Sequence, residues 1–280
     1  MKDLIQQAPE LFHDVRIAPT EDIMPGFEIN PEHSQAVITN IGGTERVVRL
    51  VSDNYVLTPN KEILQNLATA FGSEDLKIAS YTYSKGAQFQ AWISIGSQKM
   101  AIDAALGDYL GASIRFENSY NGRVKFGFSL GLLRLVCTNG MTSMEQAFHS
   151  KRTRHTEAVT SKIAAEHFAE AWESNSEKFL ELNLNAIRDF RANAKAMPGD
   201  MAEKDEEFLA DIGQKAGFPK RQLEEVFDRI YVETESLKTE PDGWIAYNGF
   251  NYVLNHNRDI LLPEHKRDVI DLKIREALTA

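Results

Sequence analysis

The chain of 280 residues holds a single cysteine, Cys137. No intramolecular disulfide can form, and a cysteine-built zinc site is excluded. That usage fits a reducing compartment. No stretch approaches the roughly eighteen apolar residues of a membrane-spanning helix. The longest candidate, Phe126 to Cys137, is broken by Ser129 and Arg134. Met1 to Glu10 lacks a basic start followed by an apolar run, so no secretory signal is expected there. The phosphate-cradling P-loop, the dinucleotide glycine pattern, His-Glu-x-x-His and Gly-x-Ser-x-Gly are all missing. Positive charge is short as well: 31 Lys and Arg stand against 41 Asp and Glu, for a net charge of −10. A surface of that sign does not attract DNA or an anionic membrane as a whole, but it leaves room for a local basic patch.

Turn residues and hydrophobic period divide what is present. Residues 1–45 carry Pro9, Pro19, Pro25, Pro31 and Gly42-Gly43, and are expected as an extended segment with short strands. Residues 46–58 predict two short strands or one bent strand. Pro59 opens a helix over 60–71, with Ile63, Leu64, Leu67 and Phe71 at helical spacing and Gly72 ending it. Residues 76–96 form a hairpin through Ser84-Lys85-Gly86. A second hairpin runs from Ala112 to Asn118, turns at Tyr120-Asn121-Gly122 and returns from Val124 to Cys137. Asn-Gly suits a two-residue turn in which both positions have positive φ.

After Thr138-Asn139-Gly140 the period changes from two to 3.6. Thr142 and Glu145 have the form of a capping box on a short helix. A long helix follows from about Glu157 to Met197, with an interruption expected at Ser174-Asn175-Ser176. Its apolar stripe is Ile163, Phe168, Trp172, Phe179, Leu180, Ile187 and Phe190. Two helices over 200–238 split at Gly217-Phe218-Pro219, and two more over 243–256 and 264–278 split at Pro263. Strands first and helices afterwards is the α+β pattern: a hairpin-rich antiparallel sheet packed on a long helix, then a helical region. The expected division is 1–45, an α+β core at 46–197 and a C-terminal helical region at 198–280.

Three runs carry a resemblance: Asn118-Ser119-Tyr120-Asn121-Gly122, Arg134-Leu135-Val136-Cys137-Thr138-Asn139-Gly140-Met141 and Arg154-His155-Thr156. They resemble the phage and plasmid-like family known as domain of unknown function DUF932. Its pattern has an Asn-Ser-x-x-Gly turn, an Arg-x-Val-Cys-x-Asn strand end and a His-Thr pair heading a helix. Val51 to Leu57 and Trp244-Ile245-Ala246-Tyr247-Asn248 with His256 agree, although Gly249 stands where the pattern has Ala. The resemblance spans about residues 47 to 256. It implies a phage, prophage or plasmid setting in the cytoplasm of a bacterial host, and with it a bias toward DNA metabolism. It implies no established activity.

From Gly111 to Thr156 the cations Arg115, Arg123, Lys125, Arg134, Lys151, Arg152 and Arg154 face only the acids Glu117 and Glu145. Clustered cations suit phosphates, and the rings of Tyr120 and Phe128 suit unstacked bases. Arg115, Tyr120, Arg123, Lys125, Lys151, Arg152, Arg154 and His155 are therefore the candidate nucleic-acid contacts. The competing reading is a solvated hairpin and loop. Asn118, Gly122, Arg134, Cys137, Asn139, Gly140, Trp244 and Asn248 are the motif residues assigned to structure. Asn139-Gly140 is expected at a strand-to-helix corner, with backbone N–H groups offered to a phosphate as the alternative.

A non-catalytic protein that binds single-stranded nucleic acid, with annealing or a recombination-accessory role as its sharper form, is the reading these residues favour. It would form a homo-oligomer and need no cofactor or metal. Two rivals stay open. One is a Cys137–His155 enzyme completed by Asn139 or Asn248; the other is a host-directed protein that binds a bacterial partner.

Overall fold

The computed structural model describes residues 2–72, 76–96, 100–103, 106–134, 139–142, 161–194, 203–257 and 264–280. They fall into two compact units. Unit 1 takes Met1–Gly96, Ile114–Leu130 and Phe148–Ser176; unit 2 takes Ser97–Ser113, Gly131–Ala147 and Glu177–Ala280.

Unit 1 begins with helix α1 (Lys2–Gln7), a 3-10 turn at Pro9–Phe12, strand β1 (Asp14–Pro19) and the short helix α2 (Thr20–Ile23). The helices were not expected in this proline-rich segment. Strands β2 (Gln35–Ile41) and β3 (Thr44–Val51) complete a three-stranded antiparallel sheet of order β1-β2-β3. Ala18, Ala36 and Ile38 make its small apolar core, with Ile23 of α2 and Leu50 against them. The register shifts between Val37 and Ile38, whose partners Arg49 and Val47 skip Val48, so the extra residue lies in β3. The bend lies here, and β3 ends at Val51. Residues 52–59 contain no strand; Tyr55 N–H closes a turn on Ser52 O at 3.0 Å.

Helix α3 (Asn60–Phe71) follows Pro59 and ends at Gly72, whose φ of 79° few other residues adopt. Its Ile63, Leu64 and Leu67 are fully buried. Strands β4 (Leu76–Ser84) and β5 (Gln88–Ile95) form the first hairpin, with Lys85 and Gly86 both at positive φ. They belong to a six-stranded sheet of order β4-β5-β7-β8-β9, with β6 (Met100–Asp103) on β7 (Asp108–Ser119). Strand β8 (Gly127–Arg134) is the return strand, and β9 (Asn139–Thr142) pairs back onto it. Ile114–Ser119 of β7 and Gly127–Leu130 of β8 count in unit 1. There Phe128 meets Phe168 of helix α4 (Ser161–Asn193) at 5.7 Å, and Phe71 meets the same ring at 6.0 Å.

The C-terminal half is helical, so the chain is an α+β protein. Helices α5 (Glu203–Ala216) and α6 (Leu223–Leu237) are separated by Gly217-Phe218-Pro219 and a 3-10 turn at Lys220–Gln222; α7 (Gly243–His256) and α8 (Glu264–Thr279) follow. Asp242 caps α7 by accepting from Ile245 N–H at 2.8 Å. Among the described residues no helix is long and apolar enough to cross a membrane.

Three local expectations are corrected. Helix α4 runs through Ser174-Asn175-Ser176 without a break. Ser174 Oγ donates to Glu170 O at 2.9 Å and Asn175 Nδ2 donates to Ala171 O at 3.0 Å, so these polar groups are satisfied one turn back inside the helix. Ile163 of the expected apolar stripe is 43% exposed. Asn139 and Gly140 are not at a strand-to-helix corner: they lie in β9, paired with Arg134 and Leu133, and Thr142 is the last residue of that strand. Glu145, the other half of the expected capping box, lies outside the described residues.

The Asn-Gly turn also differs from a two-residue hairpin. Strand β7 ends at Ser119 and β8 starts at Gly127. Gly122 has φ 68°, but Asn121 is not among the residues with positive φ. Ser119 Oγ donates to Val124 O at 2.6 Å and accepts from Val124 N–H at 3.0 Å, closing a wider loop.

Candidate functional site

Of the eight expected nucleic-acid contacts, four are described, and the structure separates them. Arg115 is buried, at 1% exposure. It donates to Glu117 at 3.2 Å and lies 5.5 Å from the centre of the Trp92 ring. A guanidinium held in that way is part of the core and has no face for a phosphate. Tyr120 is also fully buried. Its ring packs on Phe89 at 4.9 Å, and its hydroxyl accepts from Asn60 N–H at 2.9 Å. Phe128, the other proposed stacking ring, is 3% exposed. The base-stacking surface expected from the sequence is therefore not at this hairpin. Arg123 and Lys125 are exposed. Lys151, Arg152, Arg154 and His155 lie outside the described residues.

Two further exposed arginines lie in the same unit as Arg123 and Lys125. Arg49 of β3 is exposed and donates through Nη1 to Asn121 O, at the loop tip, at 2.9 Å. Arg46 is exposed on the same strand. The β2 partners of Arg49 and Arg46 are Val37 and Thr39, two places apart, so both arginines leave β3 on one face. No carboxylate lies within ion-pair distance of Arg46, Arg49, Arg123 or Lys125 among the described residues. The nearby acids are engaged elsewhere. Glu45 holds Arg16 through two bonds of 3.0 Å, which lowers its pKa below the usual carboxylate value. Asp53 accepts from Ser34 at 2.6 Å and from Gln35 at 3.1 Å, and those bonds lower its pKa. Arg115 takes Glu117. The sequence signal for the missed pair was the run Arg46-Val-Val-Arg49, which had been read only as a strand.

The motif residues form two buried polar centres, one in each unit. In unit 1 Asn118 Nδ2 donates to Thr58 O at 3.0 Å and to Asn60 Oδ1 at 2.8 Å, while Asn60 Nδ2 donates to Leu11 O at 3.0 Å. Gly122 stands at the exposed tip. In unit 2 Arg134 meets Asp108 and Glu233, and Trp244 Nε1 donates to Asp108 at 3.0 Å. Asn248 Nδ2 donates back to Trp244 O at 2.7 Å. Asp108, Glu233, Arg134 and Arg229 balance in charge. A buried set whose charges balance and pair in this way holds the elements that carry it together. Cys137 lies outside the described residues, as does His155. Among the described residues no group of three or more His, Cys, Asp and Glu side chains could hold a metal ion.

Fold and site together define an α+β protein with two internal polar centres and an exposed cationic loop tip. A family model, the domain of unknown function DUF932, matches residues 47–275, and the chain belongs to that family. The match takes in the helices of 203–237 and begins just past the N-terminal segment. No curated protein and no solved structure matches the chain.

Proposed function

We propose that the chain is a nucleic-acid-associated protein of phage or mobile-element type, which holds the phosphate backbone of a single strand without catalytic turnover. The observation that supports this reading is the group Arg46, Arg49, Arg123 and Lys125: exposed, in one unit, and free of carboxylate partners among the described residues in a chain of net charge −10. Cations left unneutralised on an acidic protein repel little of the protein itself and attract polyanions locally. With Tyr120 and Phe128 buried, the contact is to phosphates and carries no base preference of its own. Annealing or recombination-accessory work on a homo-oligomer is the form of activity this contact suits.

A fluorescence anisotropy titration with labelled oligothymidylate at several salt concentrations tests the reading. Four phosphate contacts predict a slope of log K on log salt of about −3. Reversing all four cations to Glu should abolish binding while the circular dichroism spectrum stays native. Absence of binding at low salt, or full binding by the reversed variant, defeats the proposal.

A further inference from the structure

Arg49 differs from the other three exposed cations in being held. Its Nη1 is fixed on Asn121 O at 2.9 Å. The next residue is Gly122, at φ 68°, and a β-carbon there would stand 1.3 Å from Arg49 Nη1 and 2.6 Å from the guanidinium carbon. The guanidinium thus occupies the space that any side chain at position 122 would need. A guanidinium carries five N–H donors in one rigid plane. The bond to Asn121 uses one and orients the rest.

Resting on the nucleic-acid reading above, we infer that Arg49 is the residue that recognises the ligand as a phosphodiester. Its pinned plane offers paired N–H groups to two oxygens of one phosphate, while Arg46, Arg123 and Lys125 supply attraction without orientation. A fork already fixed in place loses little side-chain freedom when the phosphate arrives, and an ammonium cannot reproduce its geometry. The acids that might have captured it are tied to Arg16, and to Ser34 and Gln35.

Charge-conserving variants separate this from general attraction. Arg49→Lys keeps the net charge and loses the fork; the control is Arg188→Lys, at an exposed arginine outside the group that donates to Ala101 O at 3.2 Å. In the oligothymidylate titration Arg49→Lys should weaken binding roughly tenfold, the scale of one charge-assisted hydrogen bond, with the salt slope unchanged. Arg188→Lys should stay within about twofold of the parent. Gly122→Ala, which removes no charge but evicts the guanidinium, should reproduce the loss seen with Arg49→Lys. If the parent binds and Arg49→Lys binds equally well, the inference is wrong and the backbone-binding reading stands. If the parent does not bind at low salt, that reading fails and the inference falls with it. Should Gly122→Ala fail to fold, the two lysine variants decide the matter alone.

Discussion

Arg134 meets Asp108 in two parallel bonds, Nε to Oδ1 at 2.7 Å and Nη2 to Oδ2 at 2.9 Å, with neither side chain reaching solvent. The same guanidinium bonds Glu233, and its carbon lies 5.3 Å from the centre of the Trp244 ring. Breaking one partner of such a set leaves a charge stranded in the interior, which costs more than the intact pair contributes. Arg134→Met should therefore destabilise the protein by about 3–5 kcal/mol, read from the urea midpoint at constant m-value. Replacing Asp108 by Asn in the same chain should recover part of the loss, since the stranded charge is then gone while an amide oxygen remains to accept from Trp244 Nε1. Equal loss in the single and double variants would mean that packing, not charge, holds this centre.

Tyr120 supports the start of α3 rather than a ligand. Its hydroxyl is the acceptor for Asn60 N–H, one of the first N–H groups of the helix, which has no partner within it. Tyr120→Phe keeps the ring against Phe89 and His13 but leaves that N–H buried and unpaired. A loss of about 1–3 kcal/mol is expected, with binding to oligothymidylate unchanged at temperatures where the variant is folded. A variant of full stability but reduced binding would return Tyr120 to the candidate interface.

How much of this was visible beforehand depended on where the deciding interaction lay. Helix α3 was legible to the residue because Pro59 and Gly72 act through their own φ angles, a purely local effect. Lys85-Gly86 was legible for the same reason. The continuity of α4 was not, because Ser174 and Asn175 break helices only when their side chains compete for the wrong backbone group; here they bond one turn back. Arg115 looked like its neighbours Arg123 and Lys125 in sequence, yet Glu117 two places along the strand and Trp92 on another strand draw it inside. Arg49 reached the site across 72 positions of chain, to Asn121, a pairing that no local pattern encodes.

Burial raises the pKa of three phenols. That of Tyr55 is pushed up to about 12, against a small lowering by Arg49. Those of Tyr120 and Tyr247 are raised as well, the latter further by Asp271 beside it. In the unfolded chain these groups ionise near pH 10. Above that pH the unfolded state binds fewer protons than the native one, so the free energy of unfolding falls as pH rises. Stability from this source is complete below pH 10 and is lost as pH rises, through about pH 12 for Tyr55. The urea midpoint should hold level between pH 8 and about 9.5 and then decline, and Tyr55→Phe should make the decline shallower. An identical pH profile in that variant would remove Tyr55 as a contributor.

Gly249 of α7 packs directly against α6. A β-carbon there would lie 2.7 Å from Ile230 Cγ1 and 3.1 Å from the carbonyl oxygen of Val226. The first contact can be relieved by turning the Ile230 side chain, which is itself fully buried; the second is backbone and can be relieved only by moving the helix. Alanine in a helix interior gains about 1 kcal/mol over glycine, whereas forcing an added methyl into a packed core costs about 1–3 kcal/mol. The packing term is the larger, so Gly249→Ala should lower the melting temperature even though the family pattern has alanine here. Ile230→Val in the same chain removes the Cδ1 carbon, which would lie 3.3 Å from the new methyl, and gives the side chain more freedom to turn. The double variant should then be more stable than the sum of the two single changes predicts, a coupling that thermal unfolding of the four proteins measures directly. Strict additivity would show that the helices move apart at no cost, and that Gly249 is not what sets their spacing.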